Sequence, residues 1–346
     1  MVGLRTEHIA ALSEKLLPGK EAAIVTHAHP DGDALGSSYA LLEYLTVSRG
    51  MKAHILLPDT PADTVSFIVG RKELLLCNDS DPKACLEKIA RSGIIFLLDG
   101  NNFSRAEGME AALEGSRACK VLIDHHIGPA LEKFDISFSE TEISSASELL
   151  YYILLGMPDI DGVPSRIPAP AAAALLTGMT TDTNNFANSV FPSTFAMASD
   201  LIAAGVDRNA ILDRIYRSYR ENRVRIMGWL QSENMVITPS GAAYIIATKA
   251  VQERFSIREG EMEGLVNVPL TIAGVNMSIF LREENGLFRV SIRSRKGFSA
   301  RALAAAYFHG GGHEMAAGGK LYFPGDIPTP DGAASYIEKI TKQLPR

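Results

Sequence analysis

Residues 22–50 read AAIVTHAHPDGDALGSSYALLEYLTVSRG. The apolar run Ala22–Val25 is short, uncharged and bounded by polar residues, which predicts a strand buried on both faces. It leads into His27, His29, Asp31 and Asp33. Gly32 and the small residues after Asp33 then turn the chain into a helix that closes at Gly50. A strand entering a helix through a loop of ligand-type side chains is one βα unit with a polar mouth.

The same grammar recurs downstream. KAHILL (52–57), IIFLLDG (94–100) and KVLIDHH (120–126) read as further strands, and DPKACLEKIARSG (81–93) and SRAEGMEAALEGS (104–116) as helices. Continuous apolar strands alternating with helices predict a doubly wound, mainly parallel α/β sheet. Ligands of such sheets collect beyond the carboxyl ends of the strands. SSASELLYYILLGM (144–157), APAAAALLTGMTTDT (169–183) and most of 192–233 look helical, with AAAALL read as tight helix packing. From about Met235 the pattern turns β-rich, through MVITPSGAAYIIATKA and the 270–296 segment, where ENG (284–286) marks a hairpin turn. The expected organisation is a first α/β domain over 1–190, a helical connector over 191–234 and a smaller α/β domain over 235–346.

The chain has 346 residues, 46% hydrophobic and 21% charged, enough for two globular domains. Its formal net charge of −6 argues against a protein that grips long duplexes, which requires neutralising many phosphates. No run is long enough to span a membrane, and the N-terminal stretch reads as an amphipathic helix and not as a secretory signal. The three cysteines, Cys77, Cys85 and Cys119, are odd in number and form no CxxC, which predicts reduced, buried thiols in a cytoplasmic protein.

Three predicted strands end in acid or histidine: His27, Asp31 and Asp33 after the first, Asp99 after IIFLL, and Asp124, His125 and His126 after KVLI. A fourth element ends at Asp182. Singly, Asp33, Asp99 and Asp182 each read well as helix N-caps, and a lone loop histidine as a surface group. Together they would meet at one sheet edge, where carboxylates so close repel unless cations neutralise them. Oxygen-rich ligands with a few imidazoles suit Mn²⁺ or Mg²⁺ better than zinc held by thiolates.

HAHPDGDALGS, LLDG, IDHH and TDT, in that order, resemble the DHH phosphoesterase family, named after the triplet standing here as Asp124-His125-His126. GGGHEMAAGG (310–319) resembles the glycine-rich signature of the DHH-associated domain. The resemblance spans most of the chain. It implies two Mn²⁺, with Mg²⁺ as the alternative metal, one held by His27, Asp31 and Asp99 and the other by Asp33, Asp99, His125 and Asp182, with Asp99 bridging. Two such metals can share a hydroxide for in-line displacement at phosphorus. Asp99, Asp124 and His126 are then the catalytic residues, Asp124 orienting an imidazole and His126 meeting the phosphate or leaving oxygen.

The second half carries Arg289, Arg293, Arg295, Lys296 and Arg301 close together, read evenly as a solvated hairpin or a cationic pocket. The glycines that follow can expose N–H groups to an anion, and His313 can add a charge-assisted contact. By the resemblance, Arg105, Arg293, Ser294, Gly310, Gly311, Gly312 and His313 bind the substrate. Arg214, Arg217, Arg220 and Arg223 read instead as a solvated face paired with Asp213 and Glu221. Three positions depart from the family pattern: His29 in place of asparagine, and Asn184 and His309 in place of glycine.

The implied activity is hydrolysis of short single-stranded oligoribonucleotides and of the 3′-phosphate of 3′-phosphoadenosine 5′-phosphate (pAp), as in the nanoRNase branch of the family. Cleavage of cyclic or linear dinucleotides, hydrolysis of pyrophosphate or polyphosphate, and non-catalytic nucleotide binding are the alternatives. A short substrate agrees with an acidic chain that has one local basic cluster. No membrane partner is expected, and a homodimer is left open.

Overall fold

The computed structural model describes residues 4–62, 65–69, 74–258 and 260–342. It divides into two compact units, 1–218 and 219–346. The helix read from the N-terminus is α1 (Thr6–Lys15); residues 1–3 lie outside the described residues.

The first unit continues with β1 (Glu21–Val25), α2 (Gly32–Glu43), β2 (Lys52–Leu57), β3 (Leu74–Leu76), α3 (Pro82–Arg91), β4 (Ile94–Leu98), α4 (Glu110–Gly115), β5 (Cys119–Asp124) and β6 (Ile136–Ser139). Four helices follow: α5 (Ala146–Leu155), α6 (Ala169–Asp182), α7 (Pro192–Ala203) and α8 (Arg208–Tyr216). All six strands are parallel, in the order β3-β2-β1-β4-β5-β6. Alternate side chains serve opposite faces: Ala22 and Ile24 belong to the core formed with α2, α5 and α6, while Ala23 and Val25 belong to the one formed with α3 and α4. The doubly wound parallel sheet expected from the sequence is therefore present, with its order reversing between β1 and β4. Two edge strands, β3 and β6, were not anticipated. They are three and four residues long and half-exposed in part, so they make no apolar run.

The second unit contains α9 (Glu221–Glu233), β7 (Met235–Ile237), β8 (Ala242–Ala247), α10 (Lys249–Arg254), β9 (Met277–Glu284), β10 (Leu287–Ser294), α11 (Ala300–Tyr307), β11 (Gly311–Gly312), β12 (Ala316–Tyr322) and α12 (Ala333–Thr341). Its mixed sheet runs β11-β12-β10-β9-β8-β7, with only the β8–β9 pair parallel. The hairpin turn falls at Asn285-Gly286, between paired Glu284 and Leu287, with Gly286 at φ +78°. The stretch read as a connector is shared between the units: α7 and α8 belong to the first and α9 to the second.

Two sequence expectations are corrected. Cys77 and Cys85 form a disulfide, because the end of β3 meets the first turn of α3 with Cα atoms 5.7 Å apart; only Cys119 is a free thiol. Arg223 does not lie on a solvated face. It is buried against Tyr219 and donates to the carbonyls of Gly260 and Glu263, while Arg220 pairs with Glu261. Arg217 does pair with Asp213, as expected. No helix among the described residues is long and apolar enough to cross a membrane.

Candidate metal centre

The loops after β1, β4 and β5 and the last turn of α6 bring seven side chains together where the strand order reverses, the position favoured for ligands in open α/β sheets. Three ligand sets have donor atoms within 4.8 Å of one another: His27, Asp31 and Asp99; Asp33, His125 and Asp182; and Asp99, His125 and His126. Every metal-binding residue expected from the sequence falls in one of them, and His29 in none.

Asp99 is the junction. It is buried, at φ +54°, with Oδ2 3.3 Å from His27 Nε2 and Oδ1 3.4 Å from His125 Nε2. His27 Nδ1 is 2.8 Å from the carbonyl of Ala28, which turns Nε2 toward the centre. A ligand imidazole held this way by its second nitrogen has its tautomer set. His125 Nε2 also lies 3.7 Å from Asp182 Oδ2.

Asp33, Asp99 and Asp182, each of which reads singly as a helix N-cap, are the N-cap of no helix among the described residues. Asp31 is the N-cap of α2, accepting from the N–H groups of Asp33 and Ala34. Asp33 reaches across to another helix: its two oxygens accept from Ala146 N–H at 2.7 Å and Ser147 N–H at 2.9 Å, at the start of α5. Asp182 is the final residue of α6. The α5 terminus is held by Glu148, which is fully buried and accepts from Ser144 N–H, the Ser144 hydroxyl and Thr194 Oγ1–H, while Ser145 caps the helix. Glu148 was missed in the sequence, although Ser145-x-x-Glu148 is a capping-box pattern that could have exposed it.

α2 approaches α6 so closely that a Cβ on Gly36 would lie 2.8 Å from the carbonyl oxygen of Ala174 and 2.8 Å from Cα of Gly178. This close crossing sets the separation of Asp33 from Asp182.

The electrostatics are those of buried carboxylates and imidazoles crowded together. Burial first, then the neighbouring Asp99, pushes Asp33 up to about 7; burial and Asp33 push Asp182 up to about 8. Burial opposes charging of His27 and His125, but the hydrogen bonds and charge of Asp99 outweigh it and raise them to about 9 and about 10. Asp99 itself is buried, yet the two histidines hold it well below the usual carboxylate range. Without cations the centre thus takes up protons to offset its negative charge. Asp99 Oδ1 is a buried oxygen whose nearest donor is His125 Nε2 at a long 3.4 Å, which leaves it under-satisfied. A hard or borderline divalent cation fits this donor set of carboxylates and imidazoles.

Asp124 is fully buried. Its carboxylate accepts from His126 N–H at 3.1 Å and lies 2.8 Å from His126 Nδ1, which in turn is 3.7 Å from Asp99 Oδ1. Arg105 is exposed, and its carbonyl accepts from Ala28 N–H at 2.7 Å, tying its turn to the His27 loop.

In the second unit Arg293 is half-buried on β10 and donates to the carbonyl of Ile292; burial pulls its pKa down. Ser294 faces the core, and its hydroxyl donates to the carbonyl of Phe298. Gly311 and Gly312 pair with Gly318 and Ala317, and a Cβ on Gly310 would collide with the backbone of Gly318. The N–H groups of Gly310 and His313 donate to Ala304 and Ala316. Close strand approach therefore accounts for Gly310 and Gly312, whereas a Cβ on Gly311 would meet nothing within 4 Å; the N–H groups of Gly310 and His313 are already bonded. His313 is exposed. Arg289 stands opposite both Arg282 and Lys320, with Glu284 between the two arginines.

The three departures share one property: His29, Asn184 and His309 have φ of +55°, +46° and +48°. Glycine and asparagine enter this left-handed region most readily, so histidine needs anchoring there. His29 donates its N–H to Asp59, with Nδ1 3.6 Å from the same carboxylate; His309 Nε2 lies 2.9 Å from Asp326.

The chain matches the family model described as DHH family, N-terminal domain over residues 21–179, and the DHHA1 domain over 243–329. It is 28% identical over 306 residues to the bifunctional oligoribonuclease and PAP phosphatase NrnA of Bacillus subtilis, covering 86% of this chain and 89% of that one. It is 30% identical to the protein of the same name from Thermus thermophilus, over 86% of this chain and 83% of the other. The crystal structure of an exopolyphosphatase-related protein from Bacteroides fragilis superposes with a TM-score of 0.90 at 32% identity, over 99% of this chain and 97% of that chain. With both domain models matched and a relative at this identity aligned over most of its length, the chain belongs to the DHH phosphoesterase family.

Proposed function

We propose that this phosphoesterase hydrolyses very short single-stranded oligoribonucleotides and removes the 3′-phosphate of pAp. The observation that carries the reading is Asp99, whose two buried oxygens face His27 on one side and His125 on the other and so join two ligand sets. His27, Asp31 and Asp99 would hold one Mn²⁺ or Mg²⁺, and Asp33, Asp99, His125 and Asp182 the other. When bound, the ions would polarise the phosphoryl group and lower the pKa of the attacking water.

The protein's own residues do the rest. Asp124 fixes the His126 ring through Nδ1, which assigns proton exchange with the leaving oxygen to Nε2. The N–H groups of Ala146 and Ser147 hold Asp33 in one orientation. Arg105, Arg293, His313 and the Gly310–Gly312 segment serve the substrate phosphates. Support for the substrate class comes from the two NrnA relatives, which cover most of this chain.

The test is a comparison of initial rates with Mn²⁺ on RNA dimers to pentamers, pAp, linear and cyclic dinucleotides, and polyphosphate. Polyphosphate is included because of the name carried by the Bacteroides fragilis structure. Short RNA and pAp should lead. Fastest turnover of polyphosphate would overturn the substrate reading, and no product from any member would leave a binding protein. Asp99→Asn should abolish turnover while circular dichroism stays unchanged.

A further inference from the structure

We propose that Phe195, backed by Phe186 and Arg208, is a stacking platform for a nucleobase of the substrate; this rests on the short-RNA reading. The two rings are stacked, with centroids 5.2 Å apart and planes 12° from parallel. Arg208 lies 5.8 Å from the centroid of Phe186, and its guanidinium donates to Asn185 Oδ1 at 2.6 Å. Phe186 packs on the core, whereas Phe195 is 54% exposed. The buried positions of α7 are Thr194, Met197, Ala198 and Leu201, so packing of that helix does not call for an aromatic at 195.

The backbone that delivers Phe186 is strained. Asn184, Asn185 and Phe186 are consecutive left-handed residues, at φ +46°, +56° and +67°. Asparagine tolerates this conformation; a bulky aromatic does so rarely. The segment is pinned by Asn185 N–H to the carbonyl of Thr180, Phe186 N–H to Thr183 Oγ1 and Ala187 N–H to the carbonyl of Thr183. Strain held in place this way accompanies functional positions.

Phe186 follows the metal-ligand candidate Asp182 by four residues, so their Cα atoms are at most about 14 Å apart. The ring of Phe195 stands a further 5.2 Å from that of Phe186, centroid to centroid, so the platform lies within reach of a substrate a few nucleotides long. A planar base gains from a stacked aromatic with a nearby guanidinium, while a polyphosphate chain has no face to offer it.

The experiment uses the full-length Mn²⁺-loaded protein with RNA dimers to pentamers and a trimer carrying 2-aminopurine. Phe195→Ala should raise KM roughly 5- to 150-fold, the range of base–aromatic stacking, with kcat and thermal midpoint unchanged. Phe195→Tyr should restore KM, and Phe195→Leu should not. Binding to wild type should quench 2-aminopurine fluorescence, and Phe195→Ala should remove the quench. Equal KM in wild type and Phe195→Ala, rescue by leucine, or a fall in kcat alone would overturn the platform. So would a dimer that dissociates only in Phe195→Ala, which would mark this face as a subunit contact. Normal RNA turnover with unchanged KM would remove the platform and keep the proposed function. Quenching without any turnover would keep the platform and remove that function.

Discussion

Gly36→Ala perturbs the candidate metal centre without touching a ligand. The added Cβ would lie 2.8 Å from Ala174 O, 2.8 Å from Gly178 Cα and 2.9 Å from Gly178 N. All three are backbone atoms, so no side chain can rotate away, and ordinary contact begins near 3.4 Å. α2 must therefore withdraw from α6 by about 0.6 Å, carrying Asp33 with it. Overpacking of this kind costs about 1–3 kcal/mol, and the better helix propensity of alanine returns up to about 1. For a unit of this size, a net loss of up to about 2 kcal/mol lowers the unfolding midpoint by up to about 8 °C. Asp33 bonds Ser147 N–H at 2.9 Å, so a shift of that size breaks or bends the bond. Disturbing such a supporting contact weakens metal affinity by about 10- to 100-fold. Scanning calorimetry and Mn²⁺ titration of chelator-stripped protein read both effects. Gly228→Ala, on the exposed side of α9 with nothing within 4 Å of the new methyl, is the control and should be neutral or stabilising by up to about 1 kcal/mol. Wild-type midpoint and Mn²⁺ affinity in Gly36→Ala would refute the close-crossing argument.

Further outcomes follow from the same centre. In metal-free protein, Asp33 and Asp182 are raised from 3.8 to about 7 and about 8, so the stability they allow at low pH is lost as pH rises from about 4 to 8. His27 and His125, raised from 6.5 to about 9 and about 10, contribute stability that is present below pH 6.5 and lost as pH climbs through 9 to 10. Both signs agree, so the chelated protein should melt at progressively lower temperature from pH 5 to 9; a midpoint that rises over this range would contradict the assignment. Mn²⁺ should raise the midpoint more at pH 8 than at pH 6, because it replaces protons, and calorimetry in two buffers of different ionisation enthalpy should register proton release. Glu148→Ala strips the acceptor from Ser144 and Thr194 in a buried site, a loss of about 1–3 kcal/mol per stranded group, and should weaken Mn²⁺ binding through Asp33, whereas Glu148→Gln should recover part of both. Equal Mn²⁺ affinity in wild type and Glu148→Ala would detach the α5 terminus from the site.

Much of the candidate metal centre was legible in the sequence because the residues that could hold a metal sit at local boundaries. A strand that ends in HAHPDGD announces both the sheet edge and the polar loop. Asp99, Asp124 and His125 follow their strands just as directly. The edge strands β3 and β6 escaped notice because short segments that are only partly buried have no continuous apolar signal. Arg223 was misread for a related reason. Spacing along a helix cannot tell that another segment's carbonyls will cover one arginine of four.

By itself, then, the sequence determined the βα alternation, the parallel sheet and the residue types gathered at its carboxyl edge, since all of these follow from periodicity and from which side chains end each strand. Only the tertiary structure decided that Asp33 braces against α5, that Asp99 stands between two histidines, that Cys77 meets Cys85, and that the three departing positions are left-handed turns. Each of these depends on a partner distant along the chain or on a backbone angle, and neither is encoded in the local order of apolar and polar residues.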